Sequence, residues 1–233
     1  IMDAGAVPGL AGFDDGDWWV QDTASSIPAQ LLLGALENPS ETRIADLCAA
    51  PGGKTAQLCF SGATVTAVDR SANRLKRLRK NLARLGLSAT VIAEDAVDWR
   101  PPNPMDGVLL DAPCTATGTI RRRPDILWAK DPTSADKMSG VQARLLKAAA
   151  AMVAAKGVLM YCTCSLDPRE GIEQIEGFLR NHPDFAREAI RPDEVGGLAE
   201  LVTPEDDLRT LPSHLADLGG MDGFYAARLR RSP

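Results

Sequence analysis

From residue 42 onward, short continuous apolar runs alternate with amphipathic stretches, the pattern of buried parallel strands joined by helices. Runs at 42–47, 64–68, 89–93, 107–110 and 158–162 predict five parallel strands. Between the second and third, Leu75, Leu78, Leu82 and Leu85 recur at three and four residues, with Ser71 placed to cap a helix and Gly86 to end it. The spacing predicts a longer helix over 134–155, with Met138, Val141, Leu145 and Met152 as its buried stripe. Another helix starts at Asp167, where Pro168 takes the first helical position and Glu170 lies three residues past the cap. Residues 24–36 read as a helix packing on the sheet, and the acidic lead-in before Trp18 as irregular. Beyond residue 183 the pattern dissolves into Pro, Gly and acidic residues until 224–229, whose apolar run predicts the last strand of a β-hairpin. The class is α/β.

Composition narrows this further. A chain of 233 residues supports one large domain, or a main domain with a small appendage. Hydrophobic residues at 45% and charged residues at 24% exclude a wholly disordered or collagen-like chain. No apolar run approaches the roughly 20 residues that a bilayer span requires. Five cysteines, at 48, 59, 114, 162 and 164, form no dense framework, and their odd number favours a reducing compartment, so the cytoplasm is expected. Two histidines and no C-x-x-C pair leave little for a metal site, and none is expected. The expected state is a monomer without a membrane partner. Ile1 is no natural initiator, which leaves preceding domains open.

The net charge of −5 argues weakly against a nucleic-acid partner, but its distribution argues the other way. Residues 1–41 carry seven acids and no Lys or Arg, whereas residues 70–147 hold fifteen basic side chains against eight acidic ones. A basic face coexists with an acidic total. The polar face of the 71–86 helix, with Lys76, Arg77, Arg79 and Lys80, is either a solvated surface or an RNA contact.

The candidate chemistry gathers at strand ends. The first strand runs into Asp46-Leu47-Cys48-Ala49-Ala50-Pro51-Gly52-Gly53-Lys54-Thr55, a small-residue turn opening a helix, where open α/β sheets bind ligands. Gly53-Lys54-Thr55 imitates the end of a P-loop, and a nucleotide hydrolase is the chief rival reading. A P-loop needs glycine where Cys48 stands, and Pro51 removes an N–H that would cradle phosphate. Asp69 ends the second strand about twenty residues past the Gly turn, where a carboxylate accepts from a ribose diol. Glu94-Asp95 ends the third strand and Asp111 the fourth. Carboxylates along one rim suit a ligand with hydroxyls, an exocyclic amine or a positive charge, and S-adenosyl-L-methionine has all three. Cys114, in Asp111-Ala112-Pro113-Cys114, and Cys164, in Thr163-Cys164-Ser165, fall on adjacent ligand-side loops. Cys59 and Cys162 read as inert small hydrophobes, with Cys48 intermediate.

On these motifs, together with Gly118-Thr-Ile-Arg-Arg-Arg-Pro-Asp125, Tyr161-Cys-Thr-Cys-Ser165 and Asp222-Gly-Phe-Tyr225, the chain resembles the catalytic domain of the RsmB (Fmu)/NOL1/NOP2/Sun family of RNA cytosine-C5 methyltransferases. The likeness runs from about residue 17 to the end. It implies a Rossmann-like class I methyltransferase fold, a mostly parallel seven-stranded sheet with a C-terminal antiparallel hairpin. Residues 1–36 would be a lead-in with its helix and 37–233 the catalytic domain; the NusB-like RNA-binding domain that precedes it in bacterial relatives is absent from this chain. The resemblance places the cofactor against Cys48, Ala49, Ala50, Pro51, Gly52, Gly53 and Lys54, with Asp69 on its ribose, Asp95 near its adenine and Asp111 close to the transferred methyl. It makes Cys164 the nucleophile at cytosine C6 and gives release to Cys114, although DNA cytosine methyltransferases use the Pro-Cys cysteine for attack. Lys54 is a candidate to assist the thiolate, Asp111 to hydrogen-bond the base, and Arg121, Arg122 and Arg123 to hold RNA. Small-subunit ribosomal RNA is the favoured substrate and transfer RNA the second. Cys162 stands where Ser is usual in relatives. A non-catalytic RNA-binding or assembly module is the remaining alternative.

Overall fold

A computed structural model describes residues 6–129 and 133–233. Its strands, β1 (Arg43–Leu47), β2 (Thr64–Val68), β3 (Thr90–Ile92), β4 (Met105–Asp111), β5 (Val153–Thr163), β6 (Phe185–Arg187), β7 (Leu208–Thr210) and β8 (Phe224–Arg231), form one sheet. Their spatial order is β3-β2-β1-β4-β5-β8-β6, with β7 also paired to β8. β1 to β5 are parallel, as their unbroken apolar runs require. β8 runs antiparallel to β5, and β6 and β7 lie one after the other along its far side. The sheet therefore has eight strands rather than the expected seven. The additional one is short β7, three residues inside an acidic, Pro-rich stretch, too few to show alternation.

Among the described residues the helices are α1 (Thr23–Gly34), α2 (Gly53–Phe60), α3 (Ala72–Arg84), the single turn α4 (Ile126–Ala129), α5 (Ser134–Ala150) and α6 (Ile172–Asn181). Alternation along the central strands divides the core between them. Val108, Leu110, Leu159 and Tyr161 pack in one layer with α5 and α6, while Leu109, Val158 and Met160 pack with α1 and α2. α3 presents Leu75, Leu78 and Leu82 to Ala56 and Ala67. Burial of each such leucine contributes roughly 1.5–3 kcal/mol. Ser71 caps α3 by accepting from Arg74 N, and Gly86 follows its end at φ +65°.

Two helix boundaries depart from the pattern. The helix expected over 134–155 stops at Ala150, because Val153 pairs with Met105 and Val158 with Gly107. An alanine-rich run fits either period, and pairing decides it. Asp167 caps only a 3-10 turn, Pro168–Glu170, through Arg169 N, and α6 begins at Ile172. Glu170 does not reach back to the cap; it is 0% exposed and its carboxylate turns inward.

Backbone contacts join the loops that follow β4, β5 and β7. Gly118 N donates to Cys164 O at 2.9 Å, and Gly223 N to Gly118 O at 2.8 Å. A Cβ on Gly118 would overlap the Gly223 carbonyl and crowd that of Cys164. Gly118→Ala is expected to destabilise the fold by about 1–3 kcal/mol. Urea unfolding should show a lower midpoint at constant slope; an unmoved midpoint would mean that these loops part without cost.

Candidate active site

The turn after β1 is shaped by its neighbours. Cys48 takes φ +60° and Gly52 φ +104°, and at Gly52 a side chain would also strike Leu78. Ala49 N donates to Val68 O at 3.1 Å, and Ala50 N to Asp69 Oδ2 at 3.1 Å. Asp69, 2% exposed, accepts Ser71 N at 2.8 Å and faces the Arg74 guanidinium at 3.4 Å. Arg74 also donates to Ala50 O, and Asn81 Nδ2 to Pro51 O. The Ala50–Pro51 peptide is cis. Asp69 thus ties the ends of β1 and β2 together at the rim.

A cleft of about 230 Å³ opens there, lined by Cys48, Asp69 and Asp95 together with the apolar Pro113, Val141 and Leu145. Asp95 Oδ1 accepts Val97 N at 2.9 Å. Arg70, Arg74, Ala96, Val97, Asp98 and Arg144 complete its walls. Pro51, Gly52 and Gly53 also border a second cavity, about 450 Å³, between the lead-in residues Phe13 and Trp19 and the α3 residues Arg77 and Arg84. The expected binding set is therefore divided: Cys48, Asp69 and Asp95 share the cleft, Ala49 and Ala50 are buried, and Pro51 to Gly53 border the other side.

Lys54 Nζ donates to Asp111 Oδ2 at 2.8 Å and to Ser25 Oγ at 3.1 Å, and stands 4.9 Å from the Phe224 ring centroid. Its burial, the largest single influence, favours the neutral amine, but the Asp111 charge and hydrogen bond together with the neighbouring Cys162 and Asp46 outweigh it and hold its pKa above the ordinary lysine value. These hydrogen bonds commit Lys54 to Asp111 and α1 rather than to a thiol. Cys162 is buried in the core, as expected of an inert thiol, and its Sγ in addition donates to Asp111 Oδ1 at 3.6 Å. Burial first, then the Asp111 charge, push that thiol up, so it remains a donor. Asp111 is held on both oxygens.

Cys114 Sγ and Cys164 Sγ lie 3.4 Å apart. The hydrogen bond to Cys164, followed by burial, holds the Cys114 thiol well above the ordinary cysteine range. Burial pushes the Cys48 thiol up to about 12, which keeps it protonated beside the cleft. Of the three arginines expected on RNA, Arg122 chelates Asp222, with Nε on Oδ1 at 2.9 Å, and Arg121 pairs with Asp22 and Asp222. Asp22 Oδ1 caps α1 through Ala24 N and also accepts Asp222 N. Two arginines thus join the first helix to the segment entering β8, while Arg123 pairs with exposed Asp125. Ser25, Cys162, Gln142 and Asp222 carry no local sequence signal for these contacts, whose partners lie 28 to 200 positions away, and the partners of Glu170 lie across two loops.

Asp46, 1% exposed, accepts Thr55 Oγ1 at 2.5 Å on one oxygen, and its Oδ1 has no hydrogen-bond partner among the described residues. Burial raises its pKa to about 7. The folded state then binds a proton that the unfolded chain releases near pH 4, so stability falls as pH rises from about 4 to about 7. Asp46→Asn is expected to gain in melting temperature relative to the parent at pH 8, and less at pH 5, both near these limits. Calorimetry showing the same difference at both pH values would mean that Asp46 titrates normally.

Sequence and structure comparisons point the same way. A ribosomal RNA small subunit methyltransferase B from Pseudomonas putida is 41% identical over 235 residues, covering 98% of this chain and 51% of that protein. Its counterpart from Serratia proteamaculans is 38% identical over 229 residues, covering 96% and 49%. The chain spans about half the length of these curated relatives. The crystal structure of NSun6 from Pyrococcus horikoshii with SFG superposes with a TM-score of 0.80 at 27% identity, covering 98% of this chain and 56% of that one. The family model for 16S rRNA methyltransferase RsmB/F matches residues 33–230, from the last turn of α1 to the end of the sheet that carries the cysteine pair, and the chain belongs to that family.

Proposed function

We propose that this chain catalyses S-adenosyl-L-methionine-dependent methylation of cytosine C5 in RNA, with small-subunit ribosomal RNA as substrate. The observation that carries this reading is the pair of thiols 3.4 Å apart, one of them following Pro113 of the cleft and three residues beyond Asp111. The cleft fits the cofactor: Asp69 and Asp95 suit ribose hydroxyls and the adenine amine, and Pro113, Val141 and Leu145 suit the faces of a base. When bound, the cofactor supplies an electrophilic methyl on a sulfonium. C5 of cytosine is a weak nucleophile, so Cys164 Sγ adds to C6 and turns the ring into an enamine. Cys114, kept protonated, donates toward Cys164 Sγ and stabilises negative charge there as attack begins. Asp111, fixed by Lys54 and Cys162, accepts from the cytosine amine and from N3 as that nitrogen takes up a solvent proton with the electrons moving into the ring. Once C5 is methylated its proton passes to solvent, the C–H electrons form the C5=C6 bond, and the Cys164–C6 bond breaks with its pair returning to Sγ, a departure that the Cys114 thiol assists by hydrogen bonding. The base must leave its stack, at a cost of a few kcal/mol.

Residues 37–233 form the catalytic unit in this reading, with α1 contributing Ser25 to the site. Lys76, Arg77 and Lys80 are exposed on α3 and make no ion pair among the described residues, so they provide the phosphate contacts that Arg121 and Arg122 are not free to make. No described helix is long and apolar enough to cross a membrane. Methyl transfer from labelled cofactor to small-subunit ribosomal RNA, and not to transfer RNA, tests the substrate.

Cys164→Ala is expected to abolish transfer without a covalent adduct. Cys114→Ala should permit attack and methylation but stall release, leaving enzyme crosslinked to RNA on a denaturing gel. An adduct with the first variant and none with the second would reverse the roles. Reversing Lys76, Arg77 and Lys80 to Glu should flatten the dependence of log Kd on log salt by roughly 0.7 per lost contact on single-stranded RNA. An unchanged slope would return the α3 face to solvent.

A further inference from the structure

We infer that Glu170 is a positioning residue for the thiol pair: its carboxylate, shared between the residue that follows Cys114 and the residue that follows Cys164, sets the separation and orientation of the two sulfurs. The inference rests on the reading of Cys114 and Cys164 as the reacting groups. Glu170 Oε1 accepts Thr115 N at 2.9 Å and Gln142 Nε2 at 3.0 Å. Its Oε2 accepts Ser165 Oγ at 2.5 Å and the Thr115 hydroxyl. Gln142 Nε2 also donates to Pro113 O at 2.9 Å, so the residues on both sides of Cys114 are held from one centre. The backbone that carries this side chain is anchored too: Tyr161 Oη, on β5, donates to the Glu170 main-chain carbonyl at 2.8 Å.

The chemistry of this centre calls for a carboxylate. Every facing group is a donor, and a carboxylate alone offers two oxygens that only accept. A glutamine amide would turn N–H groups toward Thr115 and Ser165. Among the described residues no cation pairs with Glu170, although burying a carboxylate without one is expensive. A fold needing only packing would place an apolar side chain here. Glu170 also adds its negative charge to the hydrogen bond and burial that keep Cys114 protonated. The 3.4 Å separation is therefore set by one side chain outside both cysteine motifs.

Glu170→Gln and Thr115→Val test this in the whole chain, the second removing one hydroxyl arm while leaving the charge and the Thr115 N–H in place. The readouts are the ratio of Cys164 to Cys114 alkylation by iodoacetamide as a function of pH, by mass spectrometry without RNA, the separate kcat and KM of methyl transfer, and cofactor affinity by calorimetry. Glu170→Gln is expected to keep cofactor affinity and the KM for RNA, to lose about ten- to a hundred-fold in kcat, and to shift the pH profile of the alkylation ratio. Thr115→Val should shift that profile in the same direction by less. A cofactor-binding Glu170→Gln enzyme with the parent's profile and kcat would overturn the proposal. So would a Glu170→Gln chain that fails to bind cofactor while Thr115→Val keeps the parent's profile, since Glu170 would then serve stability alone. If the parent itself methylates no RNA, the proposed function fails, whereas the alkylation profiles still report on the positioning of the thiols.

Discussion

Parallel pairing in register is the constraint on which the site depends. Leu47 lies level with Val68 on one side and Leu110 on the other, and Asp111 lies level with Cys162. Residues that follow these positions therefore emerge together on one edge, where strand hydrogen bonding ends and helices have not yet begun. Cys48, Asp69, Asp111, Cys114 and Cys164 come from four strands spread over more than a hundred residues. They meet because parallel strands all finish at the same side. The antiparallel β8 then brings Phe224 from the opposite direction to the Lys54 ammonium.

On that edge the carboxylates differ by what they face. Asp111 meets an ammonium and a thiol, Asp69 meets two backbone N–H groups and a guanidinium, and Glu170 meets neutral donors. Asp46 has one hydroxyl and an oxygen without a partner, and burial moves it toward neutrality. These are four solutions to desolvating an acid, and each leaves a different chemical capacity. Of these four only Asp111 keeps an open side, with its side chain 33% exposed. The cysteines divide in the same way: Cys48 and Cys162 stay thiols through burial, and Cys114 through its bond to Cys164.

The basic residues show where linear reading overreaches. Arg121-Arg122-Arg123 is a conspicuous cluster, and clusters of arginine suggest phosphate. Two of the three are occupied by Asp22 and Asp222, carboxylates at opposite ends of the chain, so they close the fold around the site. The less conspicuous α3 face, interrupted by leucines in the sequence, is the one whose Lys76, Arg77 and Lys80 make no ion pair among the described residues, because helical periodicity sorts its basic side chains outward.

The sequence by itself determined the α/β class, five parallel strands, and the placement of the carboxylates and of Cys114 and Cys164 on loops along one rim, because these depend on local period, turn chemistry and motif order. β7 and the end of α5 were not legible: three residues show no period, and an alanine-rich run satisfies two, so the partner strand decides. Glu170 lay in plain sight as a capping residue, and only the folded chain turned it toward Thr115, Ser165 and Gln142. Cys162 became a ligand-side donor, and Lys54 the partner of Asp111, by the same cause. A side chain's type is local, but its partner is chosen by strands that meet across the sheet, and the chemistry of a buried group belongs to that partner.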